Sequence, residues 1–202
     1  MEILKNPILI GSSDVVLDQE LGNQIDTFDT IVRFNRAPSL NFEKYVGSTT
    51  TLRVVNNHVY LNIECPNEDP NFIPSVKNQI IGVVDSISSD KFYKVWDQSC
   101  TLIQLNERQS SLSNTLDLLP TQVITSLGNR GDHASVGLGT ICYFINKGVK
   151  PTLYGFHLHD DNKNVAPHYW NIKPEVGPCH NYSYERKLIR KLIELDYAKL
   201  LS

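Results

Sequence analysis

The sequence contains no closely spaced cysteines, and this absence argues against two kinds of small, cross-linked fold. Its four cysteines are Cys65, Cys100, Cys142 and Cys179, and no two of them form a CxxC pair. Zinc sites usually place their ligands in such pairs, so a structural zinc is not expected. A chain of 202 residues is also large enough to bury a core without a disulfide framework, so we expect reduced thiols.

Long hydrophobic runs are missing as well. The longest apolar stretches are residues 8–10 and 138–145, and the second is interrupted by Gly139 and Thr140. A membrane span requires about 20 apolar residues, and the apolar segment at 7–11 is too short for a secretory signal. We therefore expect a soluble protein without a transmembrane segment, located in the cytoplasm, either free or peripheral at the inner membrane face.

An excess of positive charge is absent too. The chain has 19 Lys and Arg against 22 Asp and Glu, a net charge of -3 with histidines neutral. Non-specific nucleic-acid binding needs a dense basic face, so nucleic acid is not an expected partner. Hydrophobic residues make up 41% and charged residues 20%, which is ordinary globular usage. These values and the length predict a single domain spanning residues 1–202.

Strand-like and helix-like segments alternate along the chain. Short apolar or β-branched runs predict strands at residues 7–11, 30–35, 47–55, 79–84, 122–126 and 152–156. Apolar spacing predicts helices at 15–25, 88–96, 135–147 and 183–200, with Gly148 at the C′ position of the third and Ser183 as N-cap of the last. This order predicts an α/β fold: a single-domain, doubly wound, Rossmann-like, mostly parallel sheet with helices on both faces. Ligands bind such sheets beyond the carboxyl ends of the strands.

Two helix-opening turns are candidate anion sites. Gly11, Ser12 and Ser13 follow the first strand, where glycine allows close backbone approach and the hydroxyls are hydrogen-bond donors. The segment matches neither the Walker loop nor GxGxxG, so it fits a phosphate site or a plain turn. Ser135 opens an apolar helix whose first amides could bind an anion, or it is an N-cap and nothing more.

The histidines gather late in the chain. The late histidines are His157, His159, His168 and His180. His157 and His159, with the two aspartates that follow, are potential metal ligands, but no HExxH or similar spacing is present. Cys179 and His180 are adjacent and would point apart on an extended chain, which disfavours a nucleophile pair. Acid–base work is the better functional interpretation, against the alternative of a surface or core histidine.

Four motifs occur in a fixed order along the chain. The first motif, residues 8–51, opens with Ile-Leu-Ile-Gly-Ser-Ser and includes Val-Arg-Phe-Asn-Arg-Ala-Pro. The other three motifs lie at residues 135–156, 168–171 and 180–185, and the last of them has the form H-x4-E. Together they resemble the large, small, third and very small sialyl motifs of the animal-type sialyltransferases, the inverting family that uses CMP-sialic acid. The resemblance implies a GT-A-variant fold and transfer of sialic acid from CMP-sialic acid to a hydroxyl of a glycan or glycolipid.

The resemblance also implies roles for individual residues. His180 would be the general base, and His168 would stabilise the leaving phosphate. The implied donor nucleotide-binding residues are Gly11, Ser12, Ser13, Asn35, Ser135, Val136, Gly137, Gly155, Phe156, Tyr169 and Trp170. No metal or other cofactor is expected, because CMP carries one phosphate and the sequence lacks a DxD element.

This sequence departs from the family pattern at several positions. Ser12 stands where asparagine is usual, Val136 where a hydroxyl residue is common, and Asn171 where an acidic residue is usual. The family's paired cysteines correspond to Pro7 and Gly148, which fits a reducing compartment and a bacterial or viral enzyme.

Three alternatives stay open at the level of sequence. The first is transfer of another CMP-activated 2-keto sugar acid, such as Kdo or a related nonulosonic acid. The second is a catalytically inactive CMP-binding module on the same fold. The third is a dinucleotide enzyme, which is disfavoured because GxGxxG is absent and Asn35, not an acidic residue, ends the second strand.

Overall fold

A computed structural model describes residues 5–56, 134–159, 168–170 and 181–201, together with the strand backbone at 80–83 and 101–104. The strands are β1 (Pro7–Ile10), β2 (Thr30–Phe34), β3 (Leu52–Val55), β4 (Ile80–Val83), β5 (Thr101–Gln104), β6 (Thr152–Tyr154) and β7 (Lys199–Leu200). The helices are a 3-10 helix (Asp14–Asp18), α1 (Gly22–Ile25), α2 (Glu43–Val46), α3 (Val136–Asn146) and α4 (Tyr182–Glu194).

The strands form one sheet in the order β5-β4-β3-β2-β1-β6-β7, and every neighbouring pair is parallel. The chain builds outward from β1 to β5 and then returns to place β6 on the free side of β1. Ile10 therefore pairs with Tyr154 on one side and with Arg33 on the other. The strand order reverses between β1 and β6, and this switch point is where doubly wound sheets bind ligands.

In the described part of the chain, helices cover both faces of the central strands β1 and β2, as predicted. Leu9 points into an apolar cluster with α3 and α4, whereas Ile8 and Ile10 point into a second cluster with the 3-10 helix, α1 and α2. All four residues of β1 are buried because the strand is covered on both faces, and its sequence is accordingly apolar along its whole length. The predicted α/β, doubly wound, parallel architecture is confirmed.

The amino-terminal elements are shorter than predicted. The strand expected at 47–55 begins only at Leu52, because Gly47 has a φ of 75° and the amides of Ser48 and Thr49 donate to the Asp26 carboxylate. The helix expected at 15–25 is divided into the 3-10 helix and α1, since Gln19 between them is extended.

The carboxyl-terminal segment departs further. The helix expected at 183–200 is α4, its N-cap is Asn181 and not Ser183, and the chain then forms β7. Asn181 Oδ1 accepts the amide of Tyr184 at 3.1 Å, and Asp196, with a φ of 64°, turns the chain after the helix.

Other local predictions agree with the structure. The segment predicted at 135–147 is α3, with Ser135 as N-cap and Gly148 following at a φ of 72°. The predicted strands at 79–84 and 152–156 are β4 and β6, whereas β5 was not predicted. The helix at 88–96 and the strand at 122–126 lie outside the described residues.

Across the described part of the chain, none of the helices combines the length and apolar character that crossing a bilayer demands.

Candidate functional site

The turns that follow β1 and β6 contact each other directly at the switch point. The Gly11 amide donates to the Tyr154 carbonyl at 2.7 Å, and the Ser13 amide donates to the Gly155 carbonyl at 3.3 Å. A Cβ on Gly11 would lie 2.3 Å from the Gly155 oxygen, and one on Gly155 would lie 2.3 Å from Val16 Cγ1. Gly155 also has a φ of 72°, so both positions require glycine.

The two serines after Gly11 differ in how they are used. Ser13 is buried and caps the 3-10 helix, since its Oγ accepts the Val15 amide at 3.4 Å. The Ser12 carbonyl accepts the Tyr169 amide at 2.8 Å. Ser12 is half-buried, and its hydroxyl makes no hydrogen bond to any of the residues that the structure describes. Of the pair, Ser12 is therefore the one whose side chain can serve a ligand.

Asn35 follows β2 directly and has a φ of 45°. Its amide donates to the Val54 carbonyl at 2.8 Å, and its Oδ1 accepts the Asn56 amide at 3.1 Å. Because these contacts fix the side-chain oxygen toward the end of β3, the NH2 group remains as a donor for a ligand.

Two buried arginines lie side by side beneath this edge of the sheet. Arg33 on β2 and Arg53 on β3 are register partners, with exposed fractions of 0% and 4%. Arg33 Nη2 donates to two backbone carbonyls at the end of α2, at 2.6 and 2.7 Å. Arg53 Nη1 donates to the carbonyls of Asn35 and Ala37 at 2.8 and 3.0 Å. Burial, with a contribution from Arg33, lowers the pKa of Arg53 to about 9, so Arg53 stays cationic at neutral pH. Burial also lowers the pKa of Arg33.

Tyr169 connects the loop after β1 to the loop after β2. Its amide donates to the Ser12 carbonyl, and its hydroxyl donates to the Pro38 carbonyl. The ring is 4% exposed and packs edge-on against Phe42, with ring centroids 5.0 Å apart. Burial raises the pKa of Tyr169 to about 12, so the hydroxyl keeps its proton at neutral pH. The structure thus places Tyr169 beneath the two loops.

His168 and Trp170 lie on either side of Tyr169 in the chain and stack on each other. The imidazole and indole centroids are 4.6 Å apart, and the ring planes differ by 16°. Trp170 also packs edge-on against Tyr169, at 4.8 Å between centroids. Both side chains are half-buried. The stack holds the plane of the imidazole next to the loop that contains Ser12.

The first turn of α3, on the other face of the sheet, packs against the turn that follows β6. A Cβ on Gly137 would lie 3.0 Å from Cε1 of Phe156, the residue after Gly155. The ring of Phe156 packs edge-on against Phe34 at the end of β2, at 6.1 Å. The helix N-terminus is therefore held against the residues that follow β6.

Ser135, the N-cap of α3, is bound on two sides. Its Oγ accepts the Leu138 amide at 3.1 Å. The Glu185 carboxylate accepts the Ser135 amide at 2.7 Å and the Ser135 hydroxyl at 2.5 Å. The amides of Val136 and Gly137 have no hydrogen-bond partner among the residues that the structure describes. Free amides at a helix N-terminus are suited to an anion.

The sequence matches a known family over nearly its whole length. The sequence model of glycosyltransferase family 29 (sialyltransferase) matches residues 3–196. The chain belongs to this family.

Curated relatives agree with the family 29 assignment. The chain is 43% identical over 54 residues to beta-galactoside alpha-2,6-sialyltransferase 2 of Xenopus tropicalis, covering 27% of this chain and 10% of that protein. It is 25% identical over 211 residues to CMP-N-acetylneuraminate-beta-galactosamide-alpha-2,3-sialyltransferase 4 of Mus musculus, covering 96% of this chain and 63% of that protein. The matched region thus spans between a tenth and about two thirds of the length of these two proteins.

Solved sialyltransferases share the fold. A mammalian sialyltransferase in complex with Gal-beta-1-3GalNAc-ortho-nitrophenol superposes with a TM-score of 0.62 at 17% identity, covering 98% of this chain and 69% of that one. The sialyltransferase CST-II, as a variant in complex with CMP, superposes with a TM-score of 0.52 at 14% identity, covering 97% and 80%. At these identities the likeness concerns the fold alone.

In this family 29 chain, most of the residues named from the sequence meet at the switch point. Gly11, Ser12 and Gly155 lie at the centre, Tyr169 joins them to the Asn35 loop, and α3 adjoins through Phe156. His180 lies outside the described residues, so its predicted place is a proposal. Within the described part, no group of three or more His, Cys, Asp or Glu side chains is placed to hold a metal ion.

Three residues around this candidate site have no role that the sequence alone indicates. Arg33 and Arg53 donate to backbone carbonyls at the end of α2 and in the loop after β2, and Glu185 accepts the amide and hydroxyl of Ser135. A charged residue within an apolar strand is the signal for Arg33, since a buried charge needs dedicated partners. Glu185 is the last residue of the H-x4-E motif, but the motif does not indicate its partner.

Proposed function

We propose that the chain is an inverting glycosyltransferase that moves sialic acid from CMP-sialic acid to a hydroxyl group of a glycan or glycolipid. The observation that supports this most directly is the meeting of three sialyl-motif segments at one switch point. Gly11 contacts Gly155, Ser12 bonds to Tyr169, and Gly137 contacts Phe156.

The free hydrogen-bond donors of the site match a nucleoside monophosphate. The Ser12 hydroxyl and the Asn35 NH2 group can donate to ribose or base oxygens. The amides of Val136 and Gly137 can donate to the phosphate or to the sugar carboxylate, where the dipole of α3 favours negative charge. The buried charges of Arg33 and Arg53 add to the attraction.

Transfer is a displacement at the anomeric carbon of the donor sugar. The acceptor oxygen forms a bond to that carbon while the bond to the phosphate oxygen breaks, through an oxocarbenium-like state. His180 takes the proton of the acceptor hydroxyl, and CMP leaves with the bonding electrons. General bases of this kind contribute typically about 10²–10⁴-fold.

His168 is assigned to the departing phosphate. It lies next to the loop of Ser12, and its stack on Trp170 restricts the imidazole to one plane. A preorganised donor is most effective where charge develops in the transition state, and here this is the phosphate oxygen.

Ligand binding tests the donor site. CMP, but not UMP or ADP, is expected to raise the melting temperature, since a ligand at 100 times its Kd stabilises by about 2.7 kcal/mol. Equal shifts with all three nucleotides would contradict a cytidine site.

A donor and acceptor screen tests the reaction. CMP-sialic acid and CMP-Kdo are incubated with galactoside acceptors with and without EDTA, and the product linkage is determined. We expect transfer from CMP-sialic acid, with inversion and without loss in EDTA. Transfer from CMP-Kdo alone would identify the related 2-keto sugar acid, and CMP binding without transfer would identify an inactive module.

Three histidine variants test the assigned roles. His180→Ala is expected to lower kcat by at least about 10²-fold with CMP affinity nearly unchanged. His168→Ala is expected to lower kcat by a similar factor. The control is His159→Ala, an exposed histidine after β6, which is expected to behave as wild type. Full transfer by His180→Ala would show that the base is another group.

A further inference from the structure

Glu185 joins α4 to the N-terminus of α3. The residue is only 4% exposed, although it lies in the first turn of a helix whose neighbouring Tyr182 and Ser183 are exposed. Its two carboxylate oxygens accept separate hydrogen bonds from the amide and hydroxyl of Ser135, at 2.7 and 2.5 Å. A buried carboxylate needs such charge-assisted bonds to offset its lost hydration.

These bonds also fix what Ser135 can do. A serine hydroxyl has one hydrogen, and here Glu185 receives it, while the oxygen accepts the Leu138 amide at 3.1 Å. Ser135 therefore has no hydrogen left to donate to a phosphate or carboxylate. Among the described residues at this end of α3, the amides of Val136 and Gly137 remain as donors.

The helix that carries Glu185 begins two residues after His180 in the sequence. Resting on the proposed function, we propose that Glu185 is a positioning residue for the transfer: through Ser135 it fixes the start of α4 against the donor end of α3. The distance between the attacking hydroxyl and the donor sugar then depends on this contact. A misplacement of about 1 Å in such an arrangement can lower a rate by about 10²-fold.

Substitutions of Glu185 distinguish the effect of its hydrogen bonds to Ser135 from the effect of its negative charge. A glutamine can accept the Ser135 amide with its oxygen and donate its NH2 group to Ser135 Oγ, so Glu185→Gln keeps the contact without the charge. Glu185→Ala removes both bonds. Glu194→Ala is the matched control, because Glu194 is an exposed carboxylate at the other end of α4 that pairs with Lys191 at 3.1 Å.

The experiment measures kcat, both KM values and the Kd of CMP for each variant, at a temperature at which circular dichroism shows it fully folded. For Glu185→Ala we expect kcat to fall by about 30-fold or more and the Kd of CMP to change less than about threefold. We expect Glu185→Gln to recover to within about fivefold of wild type, and Glu194→Ala to equal wild type. The Ser135→Ala/Glu185→Ala double variant should be no slower than Glu185→Ala, since Glu185→Ala alone already removes both bonds between the two residues.

Each contrary result is distinguishable. A folded Glu185→Ala protein with wild-type kcat would overturn the positioning role, as would a Glu185→Gln protein as slow as Glu185→Ala. If Glu185→Ala does not fold, Ser135→Ala decides. It removes the 2.5 Å bond to Glu185 together with the 3.1 Å bond from the Leu138 amide, keeps the bond from the Ser135 amide to Glu185, and should lower kcat by about fivefold. Absence of transfer by the wild-type chain would instead overturn the proposed function, and this appears before any variant is compared.

Discussion

Gly11 and Gly155 lie back to back, so closely that a Cβ on Gly11 would sit 2.3 Å from the Gly155 carbonyl oxygen. The turns after β1 and β6 consequently behave as one surface, and a shift in either turn displaces the other. Because Ser12 and Phe156 follow these glycines, their positions depend on the same contact.

Gly155→Ala should be more damaging than Gly148→Ala, although both glycines have a φ of 72°. A Cβ at Gly148 would meet nothing within 4 Å, so that variant carries only the cost of the left-handed conformation, about 1 kcal/mol. At Gly155 the collision with Val16 adds to this cost, and we expect a loss of about 3 kcal/mol. Urea denaturation measures both values. Equal losses would mean that the turn relaxes freely.

Tyr169→Phe tests the connection between the two loops. The variant keeps the ring but loses the hydroxyl that donates to the Pro38 carbonyl, so we expect a loss of about 1–2 kcal/mol in stability. The Kd of CMP should rise about tenfold, because the Asn35 loop loses its bond to Tyr169 and keeps those to Arg53, Val54 and Asn56. Tyr143→Phe, on α3, is the control and should change stability by less than about 0.5 kcal/mol. CMP affinity equal to wild type in Tyr169→Phe would contradict the connection.

Asp26→Asn should destabilise the protein at neutral pH but not at low pH. Burial alone would raise the pKa of Asp26, but the hydrogen bonds from Ser48 and Thr49 outweigh it, and the net pKa lies below the usual 3.8. A carboxyl whose folded-state pKa is lowered stabilises above its unfolded pKa, and this contribution is lost as the pH falls through the folded-state value. We expect a loss of about 1 kcal/mol at pH 7, discounted for partial exposure.

Denaturation of wild type, Asp26→Asn and Asp29→Asn between pH 7 and pH 2 checks this dependence. Asp29 is an exposed aspartate near Asp26 and serves as the control. The difference between wild type and Asp26→Asn should shrink below about pH 4. A difference that grows on acidification would have the wrong sign for a lowered pKa.

Trp170 variants test whether stacking orients His168. Trp170→Ala removes the ring that lies 4.6 Å from the imidazole, and we expect kcat to fall about tenfold. Trp170→Phe retains a stacking face and should stay within about threefold of wild type. Steady-state kinetics with CMP-sialic acid measures both. Equal rates in the two variants would show that the stack has no effect on transfer.

The sheet was largely predictable from the sequence because its central strands are short apolar or β-branched runs. β1 is an uninterrupted apolar run, which is typical of a strand covered on both faces, whereas β2 is recognised by its β-branched residues although it contains Arg33. β7 was not predictable in this way, since two residues have no periodicity and their pairing with β6 is a long-range contact. The turn at Asp196 lacks the glycine that usually signals a helix end.

The site was predictable as a set of motifs but not as a set of contacts. The motifs identified Ser135 and the H-x4-E segment separately, whereas the bonds between Ser135 and Glu185 join residues far apart in the sequence. The same holds for Tyr169 and Pro38, which meet only through tertiary packing. Local patterns specify which elements form, and the folded chain specifies which of their side chains meet.

The pairing of β1 with both β2 and β6 has a consequence for biosynthesis. β2 emerges from the ribosome soon after β1, whereas β6 emerges only after β5. Until then, one edge of the apolar strand β1 has backbone N–H and C=O groups without a neighbouring strand. Nascent chains with such open edges are prone to aggregate and to engage chaperones. Slow translation at low temperature, or chaperone co-expression, should therefore raise the yield of folded protein.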